Sequence, residues 1–454
     1  MPPLTTTAHT TPSTVTTRPR ATLAVTAAAT AIALMNYTAP MLTLPDMAAA
    51  FGTPASAQAW LLNGTPLGLA VLLLVAGSLA DAHGRRRIFL LGTLALGLTT
   101  ALGALADSTL TFTLARIAQG AASAAVLAGS LGLLAHAYPA GRDRIRATGT
   151  WGASVSAGIA LGPLLAGALS LVDWRLAYGT LGAAALVTAA TGTRTLARDG
   201  APTGKGRPDI AGALTLGLAL AALLTALTLG RDGWLRPPVG LLLLASAALT
   251  ALFVAVEHRS RKPMIDLALL RRPAFLASTL GALFTGLAVI GLFSVVPALL
   301  QSGAGMSPLA SAWLFLLWSG TAFATALQAR RLAGRLSAAH QLAVGFTLSA
   351  AGILALLGGL EGPWQRLLPG LLVAGTGSGL LNAALPRLAV DSVPPEQAAM
   401  GSGANNTARY IGSSAGVALT LALVTTGPDT ALLVTAGLAL TGAALTLALG
   451  RGRG

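Results

Sequence analysis

Apolar residues run through this chain in blocks of about twenty, divided by short polar or basic segments, and no block alternates with a period of two. About 20 residues rising ~1.5 Å each carry a helix across ~30 Å of hydrocarbon, so the blocks predict membrane spans rather than core helices. Outer-membrane barrel strands need about 10 alternating residues each, a pattern these blocks lack. The predicted spans are 21–44, 57–80, 88–106, 110–136, 147–171, 175–193, 210–229, 238–256, 274–300, 309–328, 341–360, 367–390, 399–425 and 430–449. The fold class expected is an all-α polytopic membrane protein with 14 transmembrane helices. Residues 1–20, rich in Thr and Pro, predict a disordered tail. The block after it is longer than a signal-peptide core and others follow at once, so it reads as a retained span.

Charge adds the orientation. Charged residues are only 9% of the chain and apolar ones 54%, too little charge to cover a water-soluble surface. With both termini cytoplasmic, 23 Lys and Arg fall on the inner side, and only Arg175, Arg231, Arg236 and Arg366 lie outside. That asymmetry follows the positive-inside rule, and the heavy Ala, Leu, Gly and Arg usage with just two lysines, Lys205 and Lys262, points to a GC-rich bacterial genome and so to a bacterial inner (plasma) membrane. The asymmetry also accounts for the net charge of +15 without nucleic acid, since no basic cluster sits in a polar domain. There is no cysteine, and the five histidines are scattered at span ends, so neither a metal site nor a cofactor is expected. Ser307-Pro308, Pro208-Asp209 and Pro428-Asp429 place capping or φ-fixing residues at predicted helix starts.

Several motifs carry chemistry. Gly77-Ser78-Leu79-Ala80-Asp81 follows the second span and continues through Gly84 into Arg85, Arg86 and Arg87; Gly334-Arg335-Leu336-Ser337-Ala338 follows the tenth in a weak echo. Two six-helix halves separated by two further helices would give that spacing. Gly77 and Gly84 permit close approach and a tight turn, and Asp81 at a helix end can hold a charge-linked latch. Span four holds Leu114-Ala115-Arg116-Ile117-Ala118-Gln119-Gly120, and span five Gly149, Gly158, Gly162, Pro163 and Gly167. Glu257-His258-Arg259, Pro263, Asp266-Leu267 and Leu270-Arg271-Arg272-Pro273 link spans eight and nine; span thirteen carries Asn405-Asn406-Thr407-Ala408-Arg409 before Gly412 and Gly416.

Together these motifs resemble the major facilitator superfamily and its fourteen-helix drug:proton antiporter branch, over about residues 21–449. The resemblance implies a cytoplasmic tail (1–20), an N-terminal six-helix bundle (21–193), a cytoplasmic loop (194–209), two inserted helices (210–256), a cytoplasmic connector (257–273), a C-terminal six-helix bundle (274–449) and a second tail (450–454). It implies a monomeric secondary transporter, not an enzyme, exporting a drug-like or antibiotic-like small molecule by alternating access in exchange for protons. Metabolite uptake is the transporter alternative. A membrane enzyme or receptor would need clustered catalytic groups or a sizeable soluble domain.

Arg116, several residues inside its span, costs on the order of 2.5 to 3.5 kcal/mol to bury and so demands a cavity or a partner. Arg116, Gln119 and Asn36 are expected at the transport cavity; Asn405, Asn406 and Arg409 either face it or bond across helices. The glycines of span five either pack the helix closely or form a sliding seam. The branch usually carries Asp in span one where this chain has Asn36, and every carboxylate lies at a span end or in a loop. Arginine does not release its proton. The cavity is therefore expected to be neutral to positive and to disfavour cations; if proton exchange persists, Asp46 near the outer end of span one is the remaining candidate carrier, the alternative being a solvated loop residue.

Overall fold

The computed structural model describes residues 19–138, 142–197, 210–230, 233, 235–260, 267–329, 336–394 and 398–450. The predicted N-terminal tail to residue 18, most of the 194–209 loop, Lys262 to Asp266, Gly334-Arg335 and the last four residues lie outside these. In chain order the helices are α1 (Pro19–Thr38), α2 (Pro40–Phe51), α3 (Gln58–His83), α4 (Arg85–Ala104), α5 (Thr109–Ala137), α6 (Arg142–Leu169), α7 (Arg175–Thr195) and α8 (Ile210–Gly230). Then come α9 (Pro237–Arg259), α10 (Pro273–Phe284), α11 (Gly291–Ser302), α12 (Pro308–Ala329), α13 (Ala338–Leu354), α14 (Leu367–Asp391), α15 (Ala398–Val424) and α16 (Pro428–Gly450). Among the described residues, 10 helical runs are long and apolar enough to cross a membrane, counting α10 to α11 as one; Leu214–Gly230 and Ala338–Leu354 are shorter and apolar.

Every predicted span overlaps a helix, but three differ from the straight rods expected. Span one loses a backbone hydrogen bond at Ala39, because Pro40 has no N–H to return to the Asn36 carbonyl, although Ala39 itself stays helical at φ −52° and ψ −42°. α2 then ends on Gly52 at φ +60°, with the Thr53 N–H bonded to the Ala48 carbonyl at 2.8 Å. Span nine is interrupted by a π-helical turn, Thr285–Ile290, where Gly286 faces the backbone of α15 at Arg409 and Ser413. Span eleven stops at Leu354 and passes through turns to Gly358 at φ +66°, whose N–H donates to Asp429 Oδ1 at 2.9 Å. Predicted starts at Pro308 and Pro428 coincide with α12 and α16, and the Ala310 N–H donates to Ser307 Oγ at 3.2 Å.

Packing repeats along the chain. α6 lies on α1, α3 and α4 lie on α5, and α4 lies on α7; α15 lies on α10 and α11, α12 and α13 on α14, and α13 on α16. Leaving out α8 and α9, each helix of the first set matches the corresponding helix of the second. The two halves meet along α3 with α15, α6 with α12, and α2 with α11; α8 and α9 pack on each other while α8 touches both α3 and α15. Small residues permit this closeness, since lipid supplies no hydrophobic drive between helices. A Cβ on Gly120 would strike the Thr65 carbonyl and come 2.9 Å from the Gly68 Cα, so α3 and α5 touch backbone to backbone.

Candidate functional site

The α1–α2 break generates the most polar buried cluster. Pro40 leaves the Asn36 carbonyl without its helical donor, and Arg116 Nη1 donates to that carbonyl at 2.7 Å. The same nitrogen donates to Gln119 Oε1 at 2.7 Å, and Nη2 reaches the Tyr37 carbonyl at 3.5 Å. Gln119 Nε2 donates in turn to the Thr99 carbonyl at 3.2 Å, and Thr100 Oγ1 to Asn36 Oδ1 at 3.4 Å, so one network ties α1, α4 and α5. Arg116, Asn36 and Gln119 all have 0% exposure. Arg116 thus finds carbonyl partners inside its own half, and among the described residues no carboxylate bonds to it. Two donors in the cluster, Asn36 Nδ2 and Arg116 Nε, have no acceptor.

Next to this network the halves touch. Tyr37 Oη and Ser413 Oγ are 2.9 Å apart, and the Tyr37 ring meets the Tyr410 ring edge-on at 5.8 Å. Asn63 Nδ2 donates to the Ser414 carbonyl at 3.1 Å and to Thr228 Oγ1 of α8 at 3.3 Å. Gln301 Nε2 donates to the Leu42 carbonyl at 2.9 Å. Gly167 admits the start of α12, where an added Cβ would come 2.9 Å from the Pro308 carbonyl. All these contacts lie in the half of the protein away from the arginine-rich loops. A small cavity lined by Tyr37, Met41, Leu62, Pro66, Ser294 and Ser413 sits at the junction.

The remaining predicted residues divide. Arg409 is half-buried beside this junction, donating from Nη2 to Asn406 Oδ1 at 3.0 Å, with its guanidinium carbon 5.6 Å from the Tyr410 ring centre and its Nε unpartnered. Asn406 Nδ2 donates to the Ser402 carbonyl one turn back, at 3.0 Å. Asn405 turns away from the junction, donating to the Ser278 carbonyl and hydroxyl at 2.9 Å each within the second half. Gly158 and Gly162 press α6 onto α1, at Ala31 and Met35, and Gly167 meets the other half at Pro308 and Ala312; Gly149 and Pro163 also lie on α6.

At the basic end, Gly84 at φ +99° supplies the turn between α3 and α4, and an added Cβ on Gly77 meets nothing within 4 Å. Arg85 Nη1 donates to the Gly132 carbonyl at 3.3 Å, and Arg86 donates to the Thr193 and Leu196 carbonyls at 2.8 and 3.2 Å. These arginines cap helix ends of the first half, where the helix dipole is negative. Asp81 falls in the last turn of α3, and its side chain lies outside the description, as do the Arg87 contacts. Asp46 is half-buried with Oδ2 unpartnered, and burial raises its pKa above the ordinary 3.8, with Ser170 opposing and Asp173 reinforcing.

Sequence reasoning passed over Tyr37, Asn63, Ser413 and Gln301. Their signal was available only as uncommon hydrogen-bonding side chains within apolar blocks; which of them meet depends on the pairing of α3 with α15 and α2 with α11.

Two helical halves of like packing that meet around a polar junction define the architecture of a secondary transporter. The sequence profile of the Major Facilitator Superfamily matches residues 26–417, and the chain belongs to that family of membrane transporters rather than to an enzyme class. It is similar to the multidrug resistance protein Stp of Mycobacterium tuberculosis (strain CDC 1551 / Oshkosh), 32% identical over 381 residues, 83% of this chain and 70% of that protein. It is also 32% identical over 422 residues to the puromycin resistance protein pur8 of Streptomyces alboniger, covering 91% and 83% of the two chains. A bacterial homologue of the human lysosomal transporter Spinster, solved inward-facing and unoccupied, shares the fold with a TM-score of 0.69 at 15% identity, over 97% of this chain and 98% of that one.

Proposed function

We propose that this chain is a fourteen-span, monomeric exporter of a drug-like or antibiotic-like small molecule, working by alternating access in a bacterial inner membrane with both termini in the cytoplasm. Residues 21–193 and 274–449 form the two bundles, and 210–256 the inserted pair. The observation that carries the reading is the one-sided junction: the bonds between the halves, Tyr37 to Ser413, Asn63 to Ser414 and Gln301 to Leu42, gather away from the basic loops. With the basic loops inside, that is a cytoplasm-open state poised to load substrate from within. Relatives named for multidrug and puromycin resistance support export over uptake.

The charge of the site favours neutral or anionic cargo. Arg409 stands at the junction with no carboxylate partner, and a desolvated cation would need a counter-charge there. Family resemblance supports proton exchange, with Asp46 in the place left open by Asn36. A resistance panel of neutral, anionic and cationic antibiotics in a pump-deleted host, paired with flux in inverted vesicles, tests the proposal. Export of a neutral or anionic compound into inverted vesicles is expected. Flux in the opposite direction, or efficient export of quaternary ammonium dyes alone, overturns it.

A further inference from the structure

We propose that the C-terminal half holds the phosphate of an anionic lipid headgroup in a cavity at its basic end. The cavity, about 510 Å³, lies where the starts of α10 and α13 meet the ends of α14 and α16. Its lining includes Arg272, Ala274, Ala338, Arg387, Asp391 and Gly450. This volume is far more than a water or two needs, and it is comparable to small-molecule sites. It is separate from the junction described above and plays no part in closing it.

Charge and orphaned donors identify the occupant. Arg387 Nε stands 3.6 Å from Asp391 Oδ2, a charge contact beyond hydrogen-bond length, while Arg387 Nη1 is buried with no acceptor. Arg272 is exposed, and its side chain has no partner among the described residues. Among the described lining residues there are two guanidinium groups and one carboxylate, an excess of one positive charge. A phosphodiester neutralises the excess charge and gives Arg387 Nη1 its missing acceptor, and glycerol hydroxyls beside it can donate to Asp391. Arg is suited to phosphate through paired N–H donors. Basic pockets between helices at the inner face take anionic lipid heads in this manner.

The inference rests on the orientation proposed above, which brings the cavity level with inner-leaflet headgroups. Binding is read on purified protein, so failure of the export reading leaves this test standing. The full chain in mild detergent is loaded with phosphatidylglycerol and the retained lipid counted by native mass spectrometry, beside phosphatidylcholine and soluble glycerol phosphate. Phosphatidylglycerol is expected to bind, with affinity falling about 10-fold or more in Arg272→Gln/Arg387→Gln, each arginine being worth roughly 1 kcal/mol against an anionic head. Arg146→Gln, at an exposed basic position elsewhere, is expected to bind as the parent does. If the double variant does not fold, Arg272→Gln alone is expected to weaken binding about 5-fold, its side chain being exposed and unpaired. Displacement by millimolar glycerol phosphate would make free phosphate, not lipid, the occupant and overturn the lipid assignment. Unchanged phosphatidylglycerol binding in the variants would overturn the site.

Discussion

The bond between Tyr37 and Ser413 offers the sharpest test of how the halves are held. Tyr37→Phe deletes one of three hydrogen bonds across the junction and keeps the ring that packs on Tyr410. Ser413, released, can bond the carbonyl one turn back, so no orphaned group adds to the cost. A hydrogen bond between membrane helices is worth about 0.6 kcal/mol on average and up to roughly 1.5. At an RT of about 0.59 kcal/mol that shifts the closed-to-open ratio of this end about 3- to 12-fold. The chain has no cysteine, so a single Ser294→Cys reports alone. Ser294 is 3% exposed, lines the small cavity beside Tyr37, and bonds only its own helix at the Ile290 carbonyl. A membrane-impermeant maleimide added outside whole cells is expected to label this cysteine about 3- to 12-fold faster in the Tyr37→Phe background. An unchanged labelling rate would refute the claim that these bonds set the closure.

Four further outcomes are expected. In a thermodynamic cycle in detergent, Pro40→Ala should restore a donor to the Asn36 carbonyl and relieve Arg116→Gln by about 1 kcal/mol; strict additivity would show that Arg116 does not serve the broken helix. Gly120→Ala should sharply reduce folded yield in gel filtration because its Cβ meets backbone on α3, whereas Gly152→Ala, with nothing within 4 Å, should not. Burial raises the Asp46 pKa, so the folded protein binds a proton there more tightly than the unfolded chain; that stabilisation is complete below about 3.8 and lost as pH climbs through the folded value. Asp46→Asn should therefore flatten the pH dependence of thermal unfolding, and pH-dependent transport persisting in that variant would exclude Asp46 as carrier. Arg409→Gln should improve export of cationic compounds relative to anionic ones, and an unaltered ratio across a resistance panel would remove Arg409 from substrate selection.

Hydrophobic block length was enough to locate the helices, because crossing hydrocarbon leaves the chain few alternatives. It was not enough for the interruptions. Pro40 and Pro45 were visible, but whether proline ends a span or only bends it depends on a substitute donor, here a guanidinium 80 residues away in sequence. The π-helical turn at Thr285–Ile290 carries no periodic signature; it accompanies the close approach of Gly286 to α15, which is a tertiary contact. Arg116 was legible as a group needing a partner, yet the partner was a carbonyl freed by Pro40 and invisible without the pairing of α1 with α5. Asn405 and Asn406 were adjacent in sequence and alike in chemistry. One helical step of 100° sends Asn405 to Ser278 and leaves Asn406 with Arg409.

The glycines indicate which parts move together. Gly158 and Gly162 lock α6 onto α1, and Gly412 and Gly416 lock α15 onto the interrupted α10–α11 run, at Leu283 and Leu287. These contacts are backbone against side chain or backbone, so α6 cannot slide along α1 without repacking both helices. Gly158 and Gly162 therefore bind α6 to its own half, and Gly167 borders the other one. What can change between states is the junction of α3 with α15, α6 with α12 and α2 with α11, where the three hydrogen bonds named above, worth roughly 2 kcal/mol together, add to side-chain packing. Rigid halves meeting at a separate junction suit a transporter, because a substrate with differential affinity for the two arrangements can then shift which side is open.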